Sequence, residues 1–337
     1  MEGILTARGI MRYDSGFYII RQSMPYPLGE TNVFLTEASD GWVVIDVGVD
    51  LPSTRLVWEK AVNELGISFK HIKRIYITHC HPDHLGAARW LQQCCDAPVF
   101  MLREEIERAR KYVFLEERGF KEIYRQAIAY EVETNQFPEQ KVTELVEDWY
   151  REVRPLYLDP AEILPLEVGD KLDLGGYSFE IMKAAGHSDG QCMYWSEQLK
   201  QLFLADVLAA GAYLHFTDWP NSKLQNPLQN LFDLLEQMKT MGVARAFPGH
   251  GLVIEDLDTR LDKLVHKHQR ILNQVEASVQ KPMSAGELYQ HIYNLVDYVH
   301  HHRVVMGETL GYLNYLVNNN RLSMDINNGR VIYKPLE

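Results

Sequence analysis

The chain is poor in cysteine. Its 337 residues carry four, at Cys80, Cys94, Cys95 and Cys192. No two form a C-x-x-C pair and their spacing is irregular, which excludes a disulfide framework and predicts a reduced, cytoplasmic setting. Positive charge is also scarce. Against 46 Asp and Glu there are 34 Lys and Arg, a net charge of −12. That balance argues against a general nucleic-acid binder. Long apolar runs are missing, so no segment is expected to cross a bilayer. The opening "MEGILTARGIMRY" is charged throughout and predicts no secretory leader. Internal repeats and low-complexity stretches are absent as well. What is present is an ordinary globular composition, 46% hydrophobic and 24% charged. The length predicts one large domain plus an appendage.

The first part of the chain alternates β-rich stretches with helical ones. "FYIIRQ" and "NVFLTEASDGWVVID" read as strands, the second folded back at an Asp40–Gly41 turn. "STRLVWEKAVNELG" has a helix start, helical apolar spacing and a glycine stop. "APVFM" is a further short strand. Residues 103–160 are dense in charge and tyrosine and predict a helical insertion, in which acidic residues outnumber basic ones. Strands resume in "KLDLGGYSFEIMKAAGH" and "CMYWSEQLKQLFLADV"; then come the amphipathic "PLQNLFDLLEQMKTMG" and the strand "ARAF". These signals predict a catalytic domain over 1–255, a connecting helix over 256–280 and a small unit over 281–337. In that last unit, helices followed by the hairpin "RLSMDINNGRVIYK" suggest a winged-helix-like domain.

The chemistry concentrates in "THCHPDHLG", where His79, His81, Asp83 and His84 share one turn between the strand "HIKRIYI" and the helix "GAARWLQQC". Imidazole and carboxylate bind divalent metals, and residues on an irregular turn can converge on an ion. His79 and His81 suit one metal, Asp83 and His84 another. A helix N-terminus would account for Asp83 alone. Further ligands are on offer just after three apolar strands: His187 after "FEIMKAAG", Asp206 after "QLFLA" and His250 after "ARAFPG". Taken singly, these read equally well as a turn histidine, a helix cap and a loop residue. His266 and His268 lie two apart in a helical stretch and do not converge. The run His300–His302 reads as a helix entry or solvated face.

The order "HCHPDH", "AGH", "LAD", "PGHG" resembles the metallo-β-lactamase superfamily, in its glyoxalase II-like, winged-helix-tailed subgroup. The resemblance implies an α/β fold, an αββα sandwich of two mixed sheets with helices outside. It implies one metal on His79, His81 and His187, a second on Asp83, His84 and His250, and Asp206 bridging both. Asp46, in "VVIDVG", would steady the turn by hydrogen bonds. The cofactors implied are two divalent ions, zinc first, with iron or manganese as alternatives. The fourth motif departs from the usual Gly-Asp with Ala205–Asp206. The third continues "SDGQ", unlike the glyoxalase II type. Asp83 and Asp206 differ from the true β-lactamase pattern and argue against antibiotic hydrolysis.

The expected enzyme is a metal-dependent hydrolase whose two metals hold a bridging hydroxide, with Asp83 as the catalytic residue that orients it and moves its proton. Cys80 and Ser188 read as packing residues. The expected substrate is a small ester, thioester or lactone. The alternative is an endoribonuclease or phosphodiesterase acting on single-stranded nucleic acid, disfavoured because residues 281–337 hold equal numbers of basic and acidic side chains. No membrane partner is expected. A metal-dependent scaffold that dimerises through its tail ranks last. The insertion's Tyr112, Tyr124, Tyr130, Tyr150 and Tyr157 read first as helix packing. Tyr213, His215 and Trp219 are candidate substrate contacts. With the insertion outside the core, replacing 105–155 by a linker would change specificity and leave metal content intact.

Overall fold

A computed structural model describes residues 4–5, 10–13, 16–24, 29–113, 162–184, 186–208, 216, 223–292, 299–327 and 330–336, with short pieces of 117–151. Eight strands form the first sheet in chain order: β1 (Ile4–Leu5), β2 (Ile10–Arg12), β3 (Phe17–Ser23), β4 (Glu30–Ala38), β5 (Gly41–Ile45), β6 (Ile72–Ile77), β7 (Val99–Leu102) and β8 (Ile163–Leu166). The ladder is antiparallel as far as β5 and parallel from β5 to β8. The Asp40–Gly41 turn joins β4 to β5 as its sequence predicts. Strand β8 is hidden in the sequence by Pro165, which cannot donate to a ladder. It is tolerated because β8 is the edge strand of the sheet among the described residues, paired there with β7.

The second sheet has the order β13-β12-β11-β10-β9. Its strands are β9 (Lys171–Leu174), β10 (Tyr177–Lys183), β11 (Cys192–Ser196), β12 (Gln201–Ala205) and β13 (Arg245–Pro248). The sheets face each other across Phe17, Phe34, Phe179, Phe203 and Phe247, all buried. The Phe203 and Phe247 rings stack at 4.9 Å, and Phe17 meets Phe203 edge-on at 5.1 Å. Such aromatic pairs add roughly 0.5–1.5 kcal/mol each beyond area burial.

Helices cover the outer faces. On the first sheet lie α1 (Pro52–Glu64), α3 (Ala88–Cys95) and α4 (Arg103–Tyr112), with Trp58, Leu91, Ile106 and Ala109 in one buried cluster. The short α2 (Pro82–Leu85) precedes α3. On the second sheet lie α5 (Pro227–Thr240) and α6 (Leu257–Ser278). The chain therefore has the expected αββα sandwich.

Helix α4 corrects the insertion boundary. Residues 103–113 pack on the first sheet, since Ile106, Ala109 and Val113 are buried with the β6 and β7 side chains. The sequence conceals this because α4, "REEIERARKY", is as charged as the segment after it. Past residue 113, Tyr150 is described and the Lys121 ammonium sits 5.0 Å over its ring, a packing contact. Tyr124, Tyr130 and Tyr157 lie outside the described residues, as does the side chain of Tyr112.

The C-terminal elements are α7 (Ala285–Ile292), α8 (Val299–Asn318), β14 (Leu322–Asn327) and β15 (Arg330–Pro335), the last two an antiparallel hairpin. They are not a separate core. Leu288, Tyr289, Leu310, Leu313 and Tyr333 share one buried cluster with α5, α6 and the outer face of β11 and β12. His268 is buried there, its Nδ1 2.6 Å from the Tyr312 hydroxyl. His266 is exposed and bonds within its own helix, so the pair does not converge. Residues 300–302 lie within α8; their side chains fall outside the described residues. Among the described residues no helix is long and apolar enough to cross a membrane.

Candidate metal centre

Strand directions decide where the polar residues meet. Strands β5 and β6 are parallel, so the turns after them, carrying Asp46 and His79–His84, leave the same edge of the first sheet. Strand β11 is antiparallel to both β10 and β12, and β13 runs parallel to β12. His187, Asp206 and His250 therefore emerge together from the second sheet. The two edges close on one another, and every polar residue singled out above as a ligand arrives at one place.

Two rings of ligand atoms result. His79, His81, His187 and Asp206 form one, and Asp83, His84, Asp206 and His250 the other; within each ring the ligand atoms lie within 4.8 Å of one another. Asp206 belongs to both. In the first ring, His81 Nδ1 stands 3.0 Å from His79 Nε2 and 2.9 Å from His187 Nε2. Asp206 Oδ2 lies 3.8 Å from His79 and 3.5 Å from His187. In the second, His84 Nε2 lies 3.3 Å from both Asp83 Oδ2 and Asp206 Oδ1. His250 Nε2 is 3.1 Å from Asp83 Oδ2 and 3.4 Å from Asp206 Oδ2.

In the second ring close approach does not amount to hydrogen bonding. His84 Nε2, His250 Nε2 and Asp206 Oδ1 are buried without a hydrogen-bond partner, although charged atoms stand nearby. An unsatisfied buried polar atom is costly unless something else fills its lone pair. A nitrogen and oxygen donor set with no thiolate, converging in this way, fits two divalent ions.

For His79, His84 and His250 the outer ring nitrogen is bonded so that Nε2 faces inward, whereas His81 turns Nδ1 inward. His84 Nδ1 donates to Asp46 Oδ2 at 2.8 Å. Asp46 also accepts the Thr78 amide and hydroxyl, both at 2.8 Å. The Thr78 hydroxyl has then given its proton away, so its oxygen accepts from His79 Nδ1 at 3.1 Å. His250 Nδ1 donates to the Glu30 carbonyl at 2.9 Å. Asp46 takes φ of +58°, a left-handed conformation that aspartate tolerates better than most residues. Ala205 does the same at +47°, where the superfamily resemblance leads one to expect glycine.

Supports that the sequence did not reveal are equally specific. The Asn32 side-chain amide donates to the Pro248 and Gly251 carbonyls at 2.9 and 2.8 Å, clamping the "PGHG" turn to β4. Thr31 donates its hydroxyl to Asp83 at 3.1 Å. Gln191 is fully buried and its Oε1 accepts the Asp206 amide at 3.2 Å. Glu105 of α4 accepts the Cys80 amide at 2.9 Å and the Gly190 amide at 2.8 Å, together with the Ser188 hydroxyl. Ser188 is thus a polar link and not a packing residue. Cys80 is buried in the outer core as expected, its thiol pushed up by burial and then by Glu105. Tyr213, His215 and Trp219 lie outside the described residues.

Residues 26–250 match the family described as the metallo-β-lactamase superfamily. The chain belongs to the metallo-β-lactamase superfamily. Metal-dependent hydrolases make up this superfamily, and the fold seen here is theirs. A metallo-β-lactamase family protein from Thermus thermophilus is 26% identical with a TM-score of 0.80, covering 95% of this chain and 99% of that one. The beta-lactamase-like protein 2 homolog of Caenorhabditis elegans is 21% identical over 73% of this chain and 64% of its own length. An atrochrysone carboxyl ACP thioesterase from Cryptosporiopsis sp. (strain 8999) is 29% identical over 36% of this chain and 37% of its own. The chain thus spans less than two thirds of the length of these last two relatives.

The electrostatics of this superfamily site divide along the two rings. Burial, then neighbouring imidazoles, hold His79 and His81 well below the usual histidine range. Burial also opposes charge on His84 and His250, but carboxylates outweigh it. Asp206, Asp83 and Asp46 raise His84 well above its ordinary value, and Asp206 and Asp83 raise His250 to about 10. Asp83 and Asp206 are correspondingly held well below the carboxylate range, because His84 and His250 overcome the burial that opposes their charge. A metal needs the bare lone pair, so protons compete with it at His84 and His250 and not at His79 and His81. Below about pH 10 apparent affinity at the second ring should fall as pH falls, with His250 protonated in the metal-free protein. Loading metal at pH 7 should release protons, and the release should fade above that range. Titrating metal into weakly buffered metal-free protein while recording pH checks this; filling both rings without acidification would contradict it.

Proposed function

We propose that the chain is a dinuclear metal-dependent hydrolase of a small ester, thioester or lactone. The observation that carries this reading is the sharing of Asp206 between two complete rings of ligand atoms. His79, His81 and His187 would hold one ion, Asp83, His84 and His250 the other, and Asp206 both. Zinc is the first choice, with iron or manganese as alternatives, since imidazole and carboxylate accept all three. When bound, two such ions acidify water and polarise a carbonyl oxygen.

The chain's own groups would orient and neutralise. Asp206 spreads one negative charge between the rings. Asp83 is fixed by the Thr31 hydroxyl and would orient the attacking water. Its carboxyl is held well below the usual range, so it would carry the water's proton only transiently before passing it to the leaving group. His84 and His250 are each held from behind by one hydrogen bond and would not need to move during turnover.

The acyl substrate class is supported by the Cryptosporiopsis relative, which bears the name of a thioesterase. The acidic balance of the chain disfavours a phosphate backbone. The C-terminal helices and hairpin are compatible with a winged-helix-like unit, as in the tailed subgroup, and keep single-stranded RNA or a phosphodiester as the second reading. A hydrolysis screen of metal-loaded protein on thioesters, lactones, carboxylic esters, phosphodiesters and single-stranded RNA tests the choice. Acyl substrates should be turned over at rates at least tenfold above the phosphodiesters. Faster cleavage of RNA would reverse the order of the two readings.

A further inference from the structure

Helix α4 places a fully buried carboxylate behind only one of the two rings. Glu105 Oε2 accepts the amide of Cys80, which lies between His79 and His81. Its Oε1 accepts the Gly190 amide and the Ser188 hydroxyl, in the loop that begins with His187. Three donors from two loops, distant in sequence, thus end on one carboxylate. The ring of Asp83, His84 and His250 has other supports: Thr31, Asp46 and Asn32. The loop also sits directly on α4. A Cβ added at Gly190 would come within 2.8 Å of Glu104 Cβ and 3.1 Å of the Glu105 amide. One helical turn on, Arg108 pairs with Asp189 at 3.0 Å, and both side chains are largely buried.

We infer that Glu105 is a positioning residue that sets the spacing of His79, His81 and His187, and so tunes the first metal site separately from the second. The inference rests on the dinuclear reading. A carboxylate offers only acceptors, which is what three converging donors require. The amide of Glu105→Gln must turn an N–H toward either the Cys80 amide or the Gly190 amide, both obligate donors, although the Ser188 hydroxyl could rotate to accept. Whichever way it turns, one of the two loops is pushed off while the side chain keeps its size. Partners that orient metal ligands in this way are commonly worth ten- to a hundredfold in metal affinity.

Zinc affinity of the metal-free full chain, resolved into two steps by competition with a chromophoric chelator, tests the inference. Glu105→Gln should weaken the step assigned to the three-histidine ring by about ten- to a hundredfold and change the other by less than about threefold. The assignment of steps comes from His187→Ala and His250→Ala measured in parallel. Circular dichroism reports whether Glu105→Gln folds. If it does not, Ser188→Ala decides, because it removes one donor and should weaken the same step by about three- to tenfold. Equal weakening of both steps, or of neither, overturns the inference. A wild-type chain binding fewer than two zinc ions would instead overturn the dinuclear reading beneath it.

Discussion

Asp206→Asn is expected to lower turnover by on the order of a hundredfold or more and to leave about one metal per chain. The substitution keeps side-chain size and one acceptor oxygen. It removes the only negative charge common to both rings, where Oδ1 faces His84 and Oδ2 faces His79, His187 and His250. Like charges a few ångströms apart in a buried site repel strongly unless a counter-charge lies between them. A helix cap would behave otherwise, since asparagine caps about as well as aspartate. Asp206 is followed by a turn among the described residues and caps no helix there. Turnover and metal content measured on the same preparation separate the two roles. Full activity with two metals retained would remove the bridging role.

Gly249→Ala should have an effect of similar size from the opposite side of the same carboxylate. Gly249 lies in the "PGHG" turn and its amide donates to the Ala205 carbonyl at 2.7 Å. A Cβ there would collide with Asp206 Oδ1 and lie 3.0 Å from His84 Cε1 and 3.1 Å from the Ala205 carbonyl. None of these can retreat easily. His84 is held by Asp46, Asp206 by its place between the rings, and the third atom is backbone. Overpacking of this kind costs roughly 1–3 kcal/mol in stability. The larger consequence falls on the site, because both ligands that would have to move belong to the second ring. Metal content should drop to one or fewer per chain, and turnover should fall at least as far as in Asp206→Asn. Elemental analysis beside a thermal melt checks this. A folded Gly249→Ala protein with two metals would show that the turn can yield and that glycine is not required there.

The candidate ligands were legible in the sequence because four of them are nearly contiguous and the other three each follow an apolar strand. The strand-then-turn pattern puts His187, Asp206 and His250 each just past a strand, and the family resemblance joined them into one set. The structure adds why the edges coincide: the parallel pairs β5–β6 and β12–β13 send their turns the same way. The supports were not legible. Asn32 reaches the Pro248 carbonyl across 216 residues of chain, and Glu105 reaches Ser188 across 83. Nothing local distinguishes either from a surface residue. Glu105 was further disguised by its helix, whose Glu104 and Glu107 pair with Lys183 and Lys223 at the surface and make the whole segment look like a solvated insertion. The linker replacement of residues 105–155 would therefore remove Glu105 and Arg108 and should cost metal as well as specificity. A replacement beginning after residue 113 is the one that should leave metal content unchanged.

The C-terminal unit misleads for a related reason. Its helices and hairpin read as self-contained, yet their apolar faces complete the cluster begun by α5 and α6. Phe216, ten residues after Asp206 in the chain, is buried against Gly311 of α8; a Cβ at Gly311 would collide with the Phe216 ring. Glycine there reflects a close approach between segments, which no periodicity in "ETLGYLNYLVNNN" discloses.

The measurement that bears most directly on the central claim is an anomalous-scattering map from crystals of the metal-loaded chain, recorded at the absorption edge of the bound metal. The shared-aspartate centre predicts two peaks per chain, one inside the ring of His79, His81 and His187 and one inside the ring of Asp83, His84 and His250, with Asp206 between them. A single peak, or two peaks with Asp206 turned away from either, would contradict it.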